Sequence, residues 1–433
     1  MRYLVFIFLV IVCLVSCDKK ESLSPPNENY FLKYYGNEGN QIGVDLVVNQ
    51  DGTIVILGNS RKSPLSDQQV YVAKLSTSGI ILWEKTFGLA LDEEAKDIEI
   101  MFNNNLVIAG NSEKTKGERD AYVLILDQSG NKLDSVRQGL KVGSKEADDN
   151  VYSITEIVAG LNNPAGFIVS GSTTGLSNQA TDLSDAMHLR FDQNLNWLDD
   201  ALGKWKSRIS FTSGGFNGED VAVKVIQKGI NDYYVFGFSN IDETTSSGVG
   251  DFNFMKYGRT DVGEPISGTT YVGFPITNEK LDKVSLTPAQ SGLGFLLSGI
   301  SQNATDADAY IVKLNSPLSW NNSDISFTVK SDLPPGKAIL QHSVNFASLT
   351  NGYFIASDQI SQGLDIRLSK LDNTGNIIFE RIFGGVGDDF VGAVTELSDG
   401  KILLFGTMTL GGVVDGQKKI VLIKLNAQGK LAP

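Results

Sequence analysis

Cysteine is nearly absent from this 433-residue chain, and the two present, Cys13 and Cys17, both lie at its very start. The rest of the chain therefore holds no disulfide, no thiol nucleophile and no cysteine-ligated metal. Histidine is equally scarce: His188 and His342 are the only two, each inside an apolar strand-like run. A packed, hydrogen-bonded place in a sheet suits both, so no histidine-built metal centre is expected. No Gly-x-Ser-x-Gly elbow and no phosphate-cradling glycine loop occurs. Positive charge is in the minority, with 37 Lys and Arg against 50 Asp and Glu and a formal net charge of −13. That balance excludes nucleic acid as a partner, because its phosphates would be repelled. Beyond residues 3–15 no apolar run is long enough to cross a bilayer, which takes about 20 residues.

What is present at the N-terminus sets the compartment. Arg2 precedes the apolar residues 3–15, the pattern of a secretory signal rather than of a structural helix. The segment Leu14-Val15-Ser16-Cys17 resembles the lipobox of bacterial lipoproteins. The resemblance implies cleavage before Cys17 and acylation of that residue, which would hold the protein to a membrane surface and not across it. Residues 1–16 are then the signal peptide, and residues 17–28, with Pro25-Pro26, the lipidated cysteine and its flexible tether. The expected location is the bacterial envelope, at the outer membrane.

The body carries a repeat. An apolar run ends on a glycine step in Ile54-Val55-Ile56-Leu57-Gly58, and again before Gly110, Gly171, Gly237, Gly299 and Gly406, with Ala356 in the same slot of a further copy. Successive slots lie 52, 61, 66, 62, 57 and 50 residues apart, a period of repeat architectures. Within one unit, Val44–Val48, Thr53–Gly58, Val70–Leu75 and Ile80–Gly88 read as four strands joined by an Asp51-Gly52 turn, a polar loop and a Ser78-Gly79 turn. The third strand recurs with an aspartate ahead of it, as at Asp120, Asp185, Asp251, Asp308 and Asp365.

A four-stranded sheet with two apolar faces cannot bury both alone; a ring of such sheets can. The predicted fold is an all-β, seven-bladed β-propeller of four-stranded antiparallel blades. A single domain over 29–433 would have repeats near 37–88, 89–139, 140–210, 211–273, 274–329, 330–384 and 385–433. The last unit lacks a fourth strand, and residues 29–36 match the fourth-strand pattern. The N-terminal strand is therefore expected to complete the last blade, removing an open edge. The units resemble the lipid-anchored β-propeller repeats of bacterial envelopes, on the residues from Tyr71 to Gly88, from Tyr310 to Leu314 and from Leu371 to Gly384. Ile125 in a lysine position and the altered residues 194–210 depart from that pattern. The resemblance marks the fold; propellers host enzymes, receptors and scaffolds alike.

Long loops at 172–184, 240–250 and 301–307 share one acidic rim with the residues ahead of each first strand. The candidate ligand-binding residues are Asp148, Asp149, Asp182, Glu219, Asp220 and Asp242, with Trp197 and Trp205 near the irregular segment. The function expected is noncatalytic binding of a protein or glycan at that rim. The alternative is a carbohydrate-active enzyme using paired rim carboxylates; no catalytic residue is assigned. No cofactor is expected, and no run of alternating acids supplies a Ca²⁺ loop, although the rim carboxylates leave Ca²⁺ open.

Overall fold

The computed structural model describes residues 29–142, 145–160, 163–174, 184–198, 208–209, 219–227, 232–240, 251–258, 270–272, 278–287, 294–302, 307–315, 325–330, 343–360, 363–385, 387–411 and 416–432. Among the described residues, seven four-stranded antiparallel sheets follow one another along the chain. Six are continuous stretches, within 40–87, 93–138, 149–209, 219–272, 278–330 and 343–383. The seventh takes Phe390–Glu396, Ile402–Leu410 and Gln417–Leu425 from the C-terminal end and adds Phe31–Tyr35 from the N-terminal end. Each sheet's first strand packs on the sheet before it, and Asn40–Val48 packs on the last, so the sheets close into a β-propeller.

The closing strand is antiparallel, with Phe31 opposite Lys424, Lys33 opposite Leu422 and Tyr35 opposite Ile420. Phe31 and Tyr35 are buried in one core cluster with Ile54, Ile56, Tyr71, Leu403, Phe405 and Leu422, which spans the first and last sheets. The same kind of apolar layer lies between other neighbouring sheets.

The glycine slot has a local cause. Opposite it, the first strand bulges: register shifts fall between Gly43 and Asp45, Ala95 and Asp97, Val151 and Ser153, Ala222 and Lys224, Leu281 and Lys283, and Val391 and Ala393. The extra residue pushes a first-strand carbonyl toward the second strand. A Cβ on Gly58, Gly110, Gly171, Gly299 or Gly406 would run into the carbonyl oxygen of Ile42, Glu94, Asn150, Lys280 or Phe390 respectively. In the sixth sheet the register runs without a shift through Val344 and Asn345, opposite Ala356 and Ile355. There the slot holds alanine. Gly110→Ala is accordingly expected to destabilise the fold by about 1–3 kcal/mol, as overpacking does, whereas Ala356→Gly should cost under about 1 kcal/mol. Urea denaturation of both variants checks this; equal effects would discount the bulge.

Two further contacts sew blade to blade. The amide that the bulge frees is taken by the preceding sheet: Ala95 N donates to Asn59 Oδ1 (2.7 Å), Val151 N to Asn111 Oδ1 (2.8 Å), Val391 N to Asp358 Oδ1 (2.7 Å), and Gly43 N to Thr407 Oγ1 (2.9 Å). On the opposite end, an aromatic side chain of one outer strand covers the turn glycine of the next sheet. Trp83 covers Gly130, Phe327 covers Gly375, Phe379 covers Gly429, and Phe31 covers Gly79, across the chain termini. These glycines also have positive φ, from 70° to 89°, so a side chain would be both strained and in the way.

Candidate functional site

The bulges aim one layer of side chains inward. A cavity of about 470 Å³ lies among the first strands, lined by Asp45, Asp97, Ser153, Lys224 and Lys283, the residues that follow the bulges, together with Tyr152 and Asp282 within them. Gln68 and Lys418, beside the rim-side starts of third strands, also line it. The cavity therefore opens toward the loop rim rather than the tight-turn face.

Its charges are mutually engaged. Lys224 Nζ donates to Asp97 Oδ2 (2.8 Å), Glu99 Oε1 (2.6 Å) and the Ile154 carbonyl (2.7 Å). Lys283 Nζ donates to Asp45 Oδ2 (3.0 Å). Asp97 Oδ2 also accepts the Ile154 amide (3.0 Å), and Asp45 Oδ1 the Leu46 amide (2.8 Å). Three carboxyl groups thus face two ammonium groups, and the cluster balances if it holds one proton. Burial pushes Asp45 up to about 6, against the pull of Lys283, with Asp97 adding to the rise. Burial also works against Asp97, but Lys224 and Lys283 outweigh it and bring that carboxyl down to about 2. Burial raises Glu99 against the pull of Lys224. Burial opposes the charge of Lys224, yet Asp97 and Glu99 together hold its pKa above the ordinary lysine value. Burial thus raises Asp45 and Glu99, while the two ammonium groups keep Asp97 ionised. This layer had no part in the sequence-based site.

The rim residues singled out in the sequence take other roles. Arg119 grips Asp148 through Nε (2.9 Å) and Nη2 (2.7 Å), and its amide adds a third bond to that carboxylate (3.2 Å). Arg61 pairs with Asp92 through Nη2 (2.5 Å), and the Gln68 amide donates to the other oxygen of that carboxylate (2.6 Å). Each pair ties a loop of one sheet to the start of the next. The second acid is buried: Asp149 accepts the Thr173 hydroxyl (2.5 Å) and the Leu140 amide (2.7 Å), and burial lifts it to about 6. Asp389 likewise accepts the amides of Thr409 (2.7 Å) and Gly385 (2.9 Å). Glu219 and Asp220 begin the fourth sheet; Glu219 is half-buried, Asp220 is buried, and the Asp220 amide donates to the Ser184 carbonyl (2.8 Å). Trp197 is half-buried against Phe191 and Leu195, forming a bridge with Phe191. Asp182, Asp242, Trp205 and Cys17 lie outside the described residues. Asp185 and Asp251 open their third strands, whereas Asp120, Asp308 and Asp365 lie inside theirs. Asp120 and Asp365 are buried inside third strands, against Gly139 and Gly384 that follow the outer strands.

His188 is buried, its Nδ1 3.2 Å from Ser170 Oγ, and burial lowers it to about 3, so the ring is neutral. His342 lies outside the described residues. Among the described residues, no group of three or more His, Cys, Asp or Glu is placed to hold a metal ion, and no helix is long and apolar enough to cross a membrane.

The geometry defines a β-propeller with a polar, rim-opening central cavity, and comparison with known proteins takes the assignment no further than fold. No family model matches the chain, and no curated protein does. Among solved structures, a polysaccharide lyase, the ulvan lyase bound to -[GlcA(1-4)Rha3S]-, is similar at TM-score 0.53 and 10% identity, over 93% of this chain and 96% of that one. An α-L-arabinofuranosidase from Fusarium graminearum is similar at TM-score 0.46 and 8% identity, over 76% of this chain and 92% of that one. The β-propeller domain of the Trilobed protease from Pyrococcus furiosus is similar at TM-score 0.43 and 8% identity, over 91% of this chain and 98% of that one. At these identities the likeness is one of fold.

Proposed function

We propose that the mature protein is a lipid-anchored envelope propeller of seven blades that binds a glycan or protein without transforming it, and that the ligand enters at the loop rim over the central cavity. The observation that carries this reading is the cavity of about 470 Å³ on the rim side, whose lysines and carboxylates neutralise one another. Such a wall offers fixed hydrogen-bond donors and acceptors to a polar ligand, which is what binding requires. Within it Lys224, Asp97 and Glu99 are engaged with one another. The paired rim acids Asp148 and Asp149 support the scaffold rather than the contact. A glycan panel and an envelope-protein pull-down with residues 29–433 test the reading, alongside Asp282→Lys and Lys418→Glu at the cavity wall. Binding that these two variants weaken at least tenfold supports it; binding indifferent to both sinks it.

The carbohydrate-active reading draws on one observation: Asp45 near 6 beside Asp97 near 2 is a pair of carboxyls with separated pKa values. Release of new chain ends from a glycan, lost in Asp45→Asn with binding kept, would favour it over a noncatalytic role.

A further inference from the structure

The tight-turn face carries exposed apolar side chains in the blades around the chain termini, and in the neighbouring second sheet at Phe102 and Leu133. Leucine and isoleucine side chains stand in solvent just after the third-to-fourth-strand turns. In the first sheet Ile80 is 57% and Leu82 55% exposed, and in the sixth Ile377 is 50% and Ile378 58% exposed. Between these two sheets lies the seventh, whose outer strand Phe31–Tyr35 is where the chain enters the fold, and whose last turn is followed by the exposed Leu431. The patch is continuous through packing: Phe379 covers Gly429 at one junction and Phe31 covers Gly79 at the next. Arg381 and Lys85, both half-buried on the flanking outer strands, and Lys430 place positive charge beside it, and Asp51, Asp372 and Asp399 in the neighbouring turns place negative charge there.

The occupant follows from where the chain comes from. Only eleven residues separate Cys17 from Asn29. Fully extended they reach about 40 Å, and as a flexible chain they average roughly 20 Å. An acyl group on Cys17 therefore keeps the point where the chain enters the ring close to the bilayer surface. Apolar side chains flanked by mixed charge suit the headgroup boundary of a bilayer. Tethering also makes a weak surface contact effective, because the local concentration is already high.

We propose that the turn face around residues 30–35, 80–82, 377–378 and 431 rests on the lipid surface, which points the loop rim and its cavity away from the membrane. This rests on the lipid-anchor reading above, and one experiment separates the two. Intact mass of the mature protein reports whether Cys17 is acylated. The body has no other cysteine, so Leu82→Cys, Ile378→Cys and, as a rim control, Leu65→Cys each accept one spin label. Leu65 is 98% exposed in the loop between the second and third strands. On vesicles of phosphatidylethanolamine and phosphatidylglycerol, labels at 82 and 378 are expected to shift at least threefold toward oxygen over a nickel chelate as relaxant, with the label at 65 unchanged. An acylated Cys17 with labels at 82 and 378 as water-accessible as that at 65 overturns the orientation and leaves the anchor standing. An unacylated Cys17 overturns both.

Discussion

A mature chain lacking residues 29–36 is expected to lose its cooperative unfolding transition and to self-associate. The lost strand is not an ornament on a finished ring. It makes five antiparallel pairings with the last strand and is the outer strand of the seventh sheet. Without it, the edge of Gln417–Leu425 presents unpaired amides and carbonyls, a template for pairing with other chains. The loss reaches into the core as well. Phe31 and Tyr35 belong to the cluster shared by the first and last sheets, and the Tyr35 hydroxyl donates to the Gly79 carbonyl (2.8 Å). Phe31→Ala alone should cost about 3–5 kcal/mol, the usual range for a buried aromatic. The whole strand should cost more than a domain's customary margin of 5–15 kcal/mol can spare at physiological temperature. Circular dichroism melts and size-exclusion chromatography provide the check, and a synthetic peptide of residues 29–36 added in excess should restore the monomer. A truncated chain that still melts cooperatively as a monomer would show that the ring does not depend on being sealed.

The closing strand was legible because it repeats a pattern, and patterns survive in sequence when the same packing problem is solved at every blade. The glycine slot, the turn glycines and the aromatic of the outer strand belong to that group. The charged layer did not show for a physical reason. Strand side chains alternate between faces with a period of two, so Asp97 and Lys224 read as solvent-side residues of ordinary strands. The bulge one residue earlier reverses the alternation and turns them toward the channel. A signal existed: Asp45, Asp97 and Lys224 each stand thirteen residues ahead of Gly58, Gly110 and Gly237. It was masked by varied turn lengths, which put Ser153 and Lys283 at other distances from Gly171 and Gly299. The rim acids misled in the opposite direction. Asp92 and Asp148 look free in sequence because their partners, Arg61 and Arg119, are 31 and 29 residues away on the previous blade.

Lys224→Met is expected to be the most damaging single substitution in the cavity, at about 3–5 kcal/mol, the cost of leaving buried partners of an ion pair uncompensated. Methionine keeps most of the volume, so the loss is electrostatic rather than a void. Lys224 donates to both Asp97 and Glu99, and it also ties the third sheet through Ile154. The pH dependence separates this from a packing defect. In the parent protein Asp97 is held near 2, below the ordinary carboxylate value, so its contribution is present above about pH 4 and lost only as pH falls through 2. Without the ammonium, burial dominates and the carboxyl's pKa rises above its unfolded value. The variant then binds more protons folded than unfolded, and its deficit shrinks as pH falls from 7 toward 4. Asp45 gives the parent protein a smaller slope of the same sign: raised to about 6, it stabilises most below pH 4 and progressively less as pH climbs through 6. Guanidinium denaturation at pH 4, 5.5 and 7 measures both. A Lys224→Met deficit that stays constant across that range would mean the lysine acts through its stem and not through its charge.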